Sequence, residues 1–152
     1  MLLKVIENPG IEYTTVIIEY REKDAQINNL IEFVEHLDEV ENSFTASAGG
    51  KIYSISANDI LYVESVDRKT FGYTANEVYE LGCKLYEIEE RFKMLDYIRI
   101  SKSCIVNLKK IHSLKPEFGG KILATLENKE KLYISRQYAP VLREKIGLGG
   151  KR

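Results

Sequence analysis

Short runs of β-branched and aromatic residues, each cut by a charge or a turn signal, dominate the chain from Lys51 onward. The runs KIYSIS, ILYVES, KTFGYTA, EVYELG, IRIS, CIVNL, IHSLKP, KILATLE and KLYISR read as strands, punctuated by Asn58-Asp59, Gly119-Gly120 and Asn128-Lys129. Two brief stretches carry helical spacing instead. In KLYEIEERF, Leu85, Ile88 and Phe92 fall on one side; in PVLREKIG, Pro140 suits a first helical turn and Gly147 a stop. This texture predicts a mainly β domain over residues 46–152 with short helices.

The first 45 residues have a different pattern. LLKVI and YTTVIIEY (Tyr13 to Tyr20) read as two strands paired across Asn8-Pro9-Gly10, and Asp24 stands where a helix cap belongs. Ile27, Leu30, Ile31, Val34 and Leu37 follow at helical period. The expectation is a small ββα extension with one apolar face, too small for stability alone, whose stripe packs on its own chain or forms a homodimer. The polar stretch Glu41 to Gly50 marks the boundary.

Composition narrows the class. An apolar fraction of 44% and a charged fraction of 30% in 152 residues belong to a soluble globular protein with one main domain. No run is long enough and free enough of charge to span a bilayer, and Glu7 and Pro9 interrupt any secretory signal, so a cytoplasmic protein without a transmembrane segment is expected. Cys83 and Cys104 stand far apart, outside any zinc or disulfide pattern, as small core or half-buried residues. The net charge of −1 hides a division: residues 1–45 hold three basic against ten acidic residues, net −7, and residues 46–152 hold 19 against 13, net +6. A basic part is a reason to look for a polyanion.

Catalytic patterns are missing. Only His36 and His112 occur, neither beside a nucleophile or a metal-ligand partner, and the chain has no Walker loop, no G-x-G-x-x-G and no G-x-S-x-G. Glu64 and Asp67 precede Arg68 and Lys69, which reads as a salt-bridged turn rather than a carboxylate pair. No enzyme activity, cofactor or metal is expected.

Basic residues instead gather at strand ends. Arg68-Lys69-Thr70 follows ILYVESVD, Ser101-Lys102-Ser103 follows YIRI, and Ser135-Arg136-Gln137 follows KLYI. Cations neutralise phosphate or read guanine, and neighbouring hydroxyl or amide groups hydrogen-bond phosphate oxygens or base edges. Exposed turns also contain such residues as plain solvated surface. A groove reader needs all three sites on one side of the molecule.

Taken together, DILYVES, LYEIEERF, YIRISKSCIVNLKKI and LYISRQYAPVLREKI resemble, in order and rough spacing, the LytTR family of bacterial DNA-binding domains over about residues 46–148. The most distinctive parts are Ser103 to Asn107 and the pair Ser135-Arg136. The resemblance implies an elongated β-sandwich of short strands that binds promoter DNA, its loops entering successive major grooves of a direct-repeat site. It implies base reading at Arg136 and Lys102 and phosphate contact at Ser103 and Gln137. A third contact loop at Arg68, Lys69 and Thr70 and a further phosphate contact at Lys84 complete the implied site. Many relatives carry Arg or Asn where this chain has Lys102, a point donor without a planar fork. Asn107 reads as structural, its amide tying the neighbouring turn to the backbone.

Many members of that family are response regulators with a receiver domain, for which 45 residues of ββα pattern offer neither five strands nor an acidic pocket. Asp24 and Asp38 accordingly read as cap and surface residues. The alternative to a DNA-binding regulator is a non-DNA module that binds a regulatory protein partner.

Overall fold

The computed structural model describes residues 1–92 and 96–147 and divides the chain into two units, residues 1–41 and 42–152. In the first unit, Asn8, Pro9 and Gly10 do form a turn, with Ile11 N–H donating to the Asn8 carbonyl at 3.3 Å. The two flanking strands expected over LLKVI and Tyr13–Tyr20 are not formed. An isolated two-stranded hairpin is marginal in water, and no third strand joins this one among the described residues. Val5, Ile6, Val16 and Ile17 are consequently exposed.

Helix α1, Ala25–Glu41, is present as the stripe predicts. Asp24 caps it, its carboxylate accepting from Ile27 N–H at 2.9 Å. Ile27, Ile31 and Val34 are half-buried, whereas Leu30, Phe33 and Leu37 are exposed. The side chains of His36 and Asp38 lie outside the described residues.

The second unit begins earlier than the polar stretch suggests. Ser43–Ala48 is strand β1, which pairs residue for residue with β2, Lys51–Ser56, through a Gly49-Gly50 turn. Both glycines have positive φ, 56° and 76°, the backbone that a tight hairpin turn demands. Phe44 and Ala46 point inward while their polar neighbours do not, so a run that looks like a linker is a half-buried strand.

Further strands follow as read: β3 Ile60–Val66, β4 Lys69–Thr74, β5 Val78–Leu81, β6 Tyr97–Ser101, β7 Cys104–Asn107, β8 Ile111–Pro116, β9 Ile122–Leu126 and β10 Lys131–Ile134. Helix α2 spans Leu85–Arg91 and α3 spans Ala139–Lys145, with Pro140 in the first turn and Gly147 beyond the end at φ 79°. All pairings are antiparallel, in a seven-stranded sheet ordered β2-β1-β5-β4-β3-β7-β6 and a three-stranded sheet ordered β10-β9-β8.

Strand alternation builds two cores on the faces of the large sheet. Ile60, Val63 and Ile105 pack with Phe44, Leu81 and the α2 residues Leu85 and Ile88. Leu61, Ile98, Ile100 and Val106 pack instead with Ile122, Leu126, Ile134 and the α3 residue Leu142. β3 and β7 are thus buried on both sides, which is why ILYV and CIV read as continuous apolar runs. Cys104 is buried and Cys83 half-buried, as the spacing suggests. Burial pushes the Cys104 thiol up to about 12, with the nearby Glu64 carboxylate adding to it.

Candidate nucleic-acid interface

Register places several connections at one end of the strands. Val66 pairs with Lys69 around the Asp67-Arg68 turn, Thr70 pairs with Leu81 just before Lys84, and Ser101 pairs with Cys104 around Lys102-Ser103. Two backbone hydrogen bonds then lock separate loops together. Ser65 N–H donates to the Ser103 carbonyl at 2.8 Å, and Ser135 N–H donates to the Ile100 carbonyl at 2.9 Å. The Arg136-Gln137 turn is thereby held beside the Lys102 loop, and that loop beside the end of β3. Lys84 Nζ completes the group by donating to the Arg68 carbonyl at 3.3 Å.

Charge at this end is available to a ligand. Arg68, Lys102, Ser103, Arg136 and Gln137 are exposed, and among the described residues none of Arg68, Lys84, Lys102 and Arg136 is in an ion pair. Lys69 differs, since its ammonium lies 3.9 Å from the Glu80 carboxylate. Elsewhere Lys109, Lys110 and Lys115 also face carboxylates, those of Asp96, Glu127 and Glu117. Unneutralised cations on adjoining loops project a positive field that a row of phosphates would meet.

One expected contact is removed by the geometry. Thr70 is only 3% exposed, because alternation in β4 turns Thr70 and Gly72 inward and leaves Lys69 outward. Its hydroxyl is not on the surface, so the β3–β4 loop can offer Arg68 and Lys69 but not Thr70.

The loop also has a support that the sequence pattern does not announce. Arg99 lies between Ile98 and Ile100, so β6 sends it to the α2 side of the sheet. Its Nε donates to the Ser101 carbonyl at 2.8 Å, Nη2 donates to the Lys102 carbonyl, and Nη1 pairs with Glu89 of α2 at 3.1 Å. A guanidinium fork thus organises two successive carbonyls and anchors them to a helix. Ser101 adds a bond, its hydroxyl accepting from Ser103 N–H at 3.2 Å. In sequence, the only signal for Arg99 is a cation at an inward position of an otherwise apolar strand.

At the opposite end of β7, Asn107 is 2% exposed. Its amide donates to the Ile60 carbonyl at 3.0 Å and its Oδ1 accepts from Lys109 N–H at 3.1 Å. The structural reading of this residue is therefore correct. Asp67 and Arg68 both have positive φ, 49° and 66°, so the hairpin that presents Arg68 uses a turn normally given to glycine or asparagine.

No metal-binding cluster of three or more His, Cys, Asp or Glu exists among the described residues. A cleft of about 530 Å³ lies away from the basic loops, lined in part by Tyr53, Asp59, Asn76, Lys110 and Glu127. Lys110 and Glu127 face each other there at 3.9 Å. Among the described residues no helix is long and apolar enough to cross a membrane.

The second unit is thus a large antiparallel sheet packed between a short helix and a smaller sheet, with basic loops at one end. Residues 50–147 match the LytTr DNA-binding domain, and the chain belongs to that family. A Bacillus cereus structure described as a LytTr DNA-binding domain superposes with a TM-score of 0.66 at 24% identity, covering 70% of this chain and 97% of that one. An uncharacterised HTH-type transcriptional regulator of Staphylococcus aureus (strain NCTC 8325 / PS 47) is 26% identical over 148 residues, 97% of this chain and 99% of its own. The sensory transduction protein LytT of Enterococcus faecalis is 30% identical over 98 residues, 64% of this chain and 40% of its own.

Proposed function

We propose that this protein is a sequence-specific, DNA-binding transcriptional regulator that reads a direct-repeat site through loop tips set into the major groove. The observation that carries this reading is the clustering of Arg68, Lys84, Lys102 and Arg136 on loops joined by the Ser65–Ser103 and Ser135–Ile100 backbone bonds. Arg136 is assigned to guanine, whose O6 and N7 suit a guanidinium fork, and Lys102 to a neighbouring base edge. Ser103, Gln137, Lys84 and Arg68 hold phosphate, with Lys69 contributing once released from Glu80. The names of the matched regulators and the family itself agree with this role. Fluorescence anisotropy against a duplex selected from a random pool, beside a scrambled duplex at two salt concentrations, tests it. Selective binding that weakens steeply with salt is expected; equal weak binding to both duplexes would refute it.

The first unit is proposed to make a homodimer. Its exposed Val5, Ile6, Val16, Ile17, Leu30, Phe33 and Leu37 support an apolar contact with a second copy. Two linked domains on a repeated site gain affinity through effective concentration. Sedimentation of the free protein at micromolar concentration decides between dimer and monomer.

A further inference from the structure

One exposed aromatic lies on the loop whose second glycine packs against the stem of the candidate reading arginine. Between β8 and β9, residues 117–121 form a loop closed by Glu117 N–H donating to the Lys121 carbonyl at 2.9 Å. Pro116 and Ile134 both pair with Ile122, so this loop occurs at the same strand end as Ser135 and Arg136. Gly119 and Gly120 have φ of 82° and 83°, and a Cβ on Gly120 would come within 3.1 Å of Arg136 Cγ. The second glycine is therefore needed twice, for its backbone and for the close approach of the arginine stem. At the head of this pair Phe118 is 100% exposed.

A phenyl ring left wholly in water forgoes the stabilisation that burial would give it. Its neighbour Glu117 is drawn toward Lys115 of β8, 3.9 Å away, so the adjacent carboxylate is engaged with a cation. On the DNA-binding reading above, an exposed apolar side chain on the loop that packs against the Arg136 stem has one apolar feature to meet in the major groove, the thymine C5-methyl.

We propose that Phe118 is a specificity-determining residue that packs on a thymine methyl in the base step adjoining the one read by Arg136. The inference rests on the DNA-binding reading above and names a base preference that the basic loops alone do not supply. Phe118 reads by contact with the methyl, and the Gly119-Gly120 backbone sets its distance from Arg136.

The test uses the full chain, a duplex selected from a random pool, and the same duplex with deoxyuridine replacing each thymine next to the essential guanine. Phe118→Ala is expected to bind the selected duplex about fourfold more weakly, the worth of one buried methyl, with Phe118→Leu retaining most of the affinity. Deoxyuridine should weaken the wild type by a similar factor and leave Phe118→Ala unchanged, the two losses not adding. Thermal unfolding equal to wild type keeps the comparison on binding. Unchanged binding by Phe118→Ala, or the same loss on both duplexes, would overturn the thymine contact while leaving the regulator reading intact. Wild-type binding without any sequence preference would remove that reading, and this inference with it.

Discussion

The Ser135 backbone N–H donates to the Ile100 carbonyl at 2.9 Å. This single bond joins the β10–α3 turn to the end of β6, so Arg136 and Lys102, 34 positions apart in the chain, occupy neighbouring loops. Arg99 then fixes the Lys102 side of the pair by holding the Ser101 and Lys102 carbonyls. Reading DNA demands side chains on rigid supports, because each loosened loop loses ordering entropy again on binding.

Arg68 separates stability from binding. Its φ of 66° is strained for a residue with a Cβ, and its backbone carbonyl, not its side chain, accepts from Lys84. Arg68→Gly should stabilise the fold by about 0.5–1 kcal/mol in urea unfolding, as strain relief exceeds the added chain entropy. The same variant should bind DNA more weakly, with the slope of log K against log salt reduced by about one.

Asn107 should behave in the opposite way. Asn107→Ala leaves the buried Ile60 carbonyl and the Lys109 N–H without their partner, which costs about 1–3 kcal/mol. A lowered urea midpoint with the salt slope of DNA binding unchanged is the expected outcome, since Asn107 lies at the far end of β7 from Lys102.

Alkali should unfold the domain. Burial raises the Cys104 thiol from its usual 9.0 to about 12, and burial likewise raises the Tyr62 and Tyr97 hydroxyls above their usual 10.0. The native state keeps these protons where the unfolded chain has released them. Stability is therefore complete below about pH 9 and is lost as pH rises toward 12. Urea midpoints measured from pH 7 to pH 11 should fall above pH 9, less steeply in Cys104→Ala, while thiol reagents should label native Cys104 slowly at neutral pH.

Strands rich in Ile, Val, Tyr and Leu were legible because their pattern agrees with burial, on one face in β9 and on both in β3 and β7. β1 was not, since SFTASA fills inward positions with only Phe44 and the small Ala46. The N-terminal pair was over-read for a related reason: strand propensity without a third strand does not hold a hairpin. At the candidate interface, cation and hydroxyl groups at strand ends singled out Arg68, Lys102 and Arg136, and register and backbone bonds bring their loops to one end of the strands. What joins them was invisible, because Ser65–Ser103 and Ser135–Ile100 are backbone bonds between distant segments and carry no side-chain signature. Thr70 departs from the expected contact because β4 begins at Lys69, inside the run Arg68-Lys69-Thr70, and alternation buries the threonine.

Arg136 bears the central claim, and the most direct measurement is the ratio of affinities for the selected and scrambled duplexes in wild type and Arg136→Ala. Loss of a guanine-reading fork should cost about 1–3 kcal/mol on the selected duplex and less on the scrambled one, lowering the ratio by roughly fivefold to a hundredfold. An unchanged ratio in a normally folded Arg136→Ala protein would contradict the account.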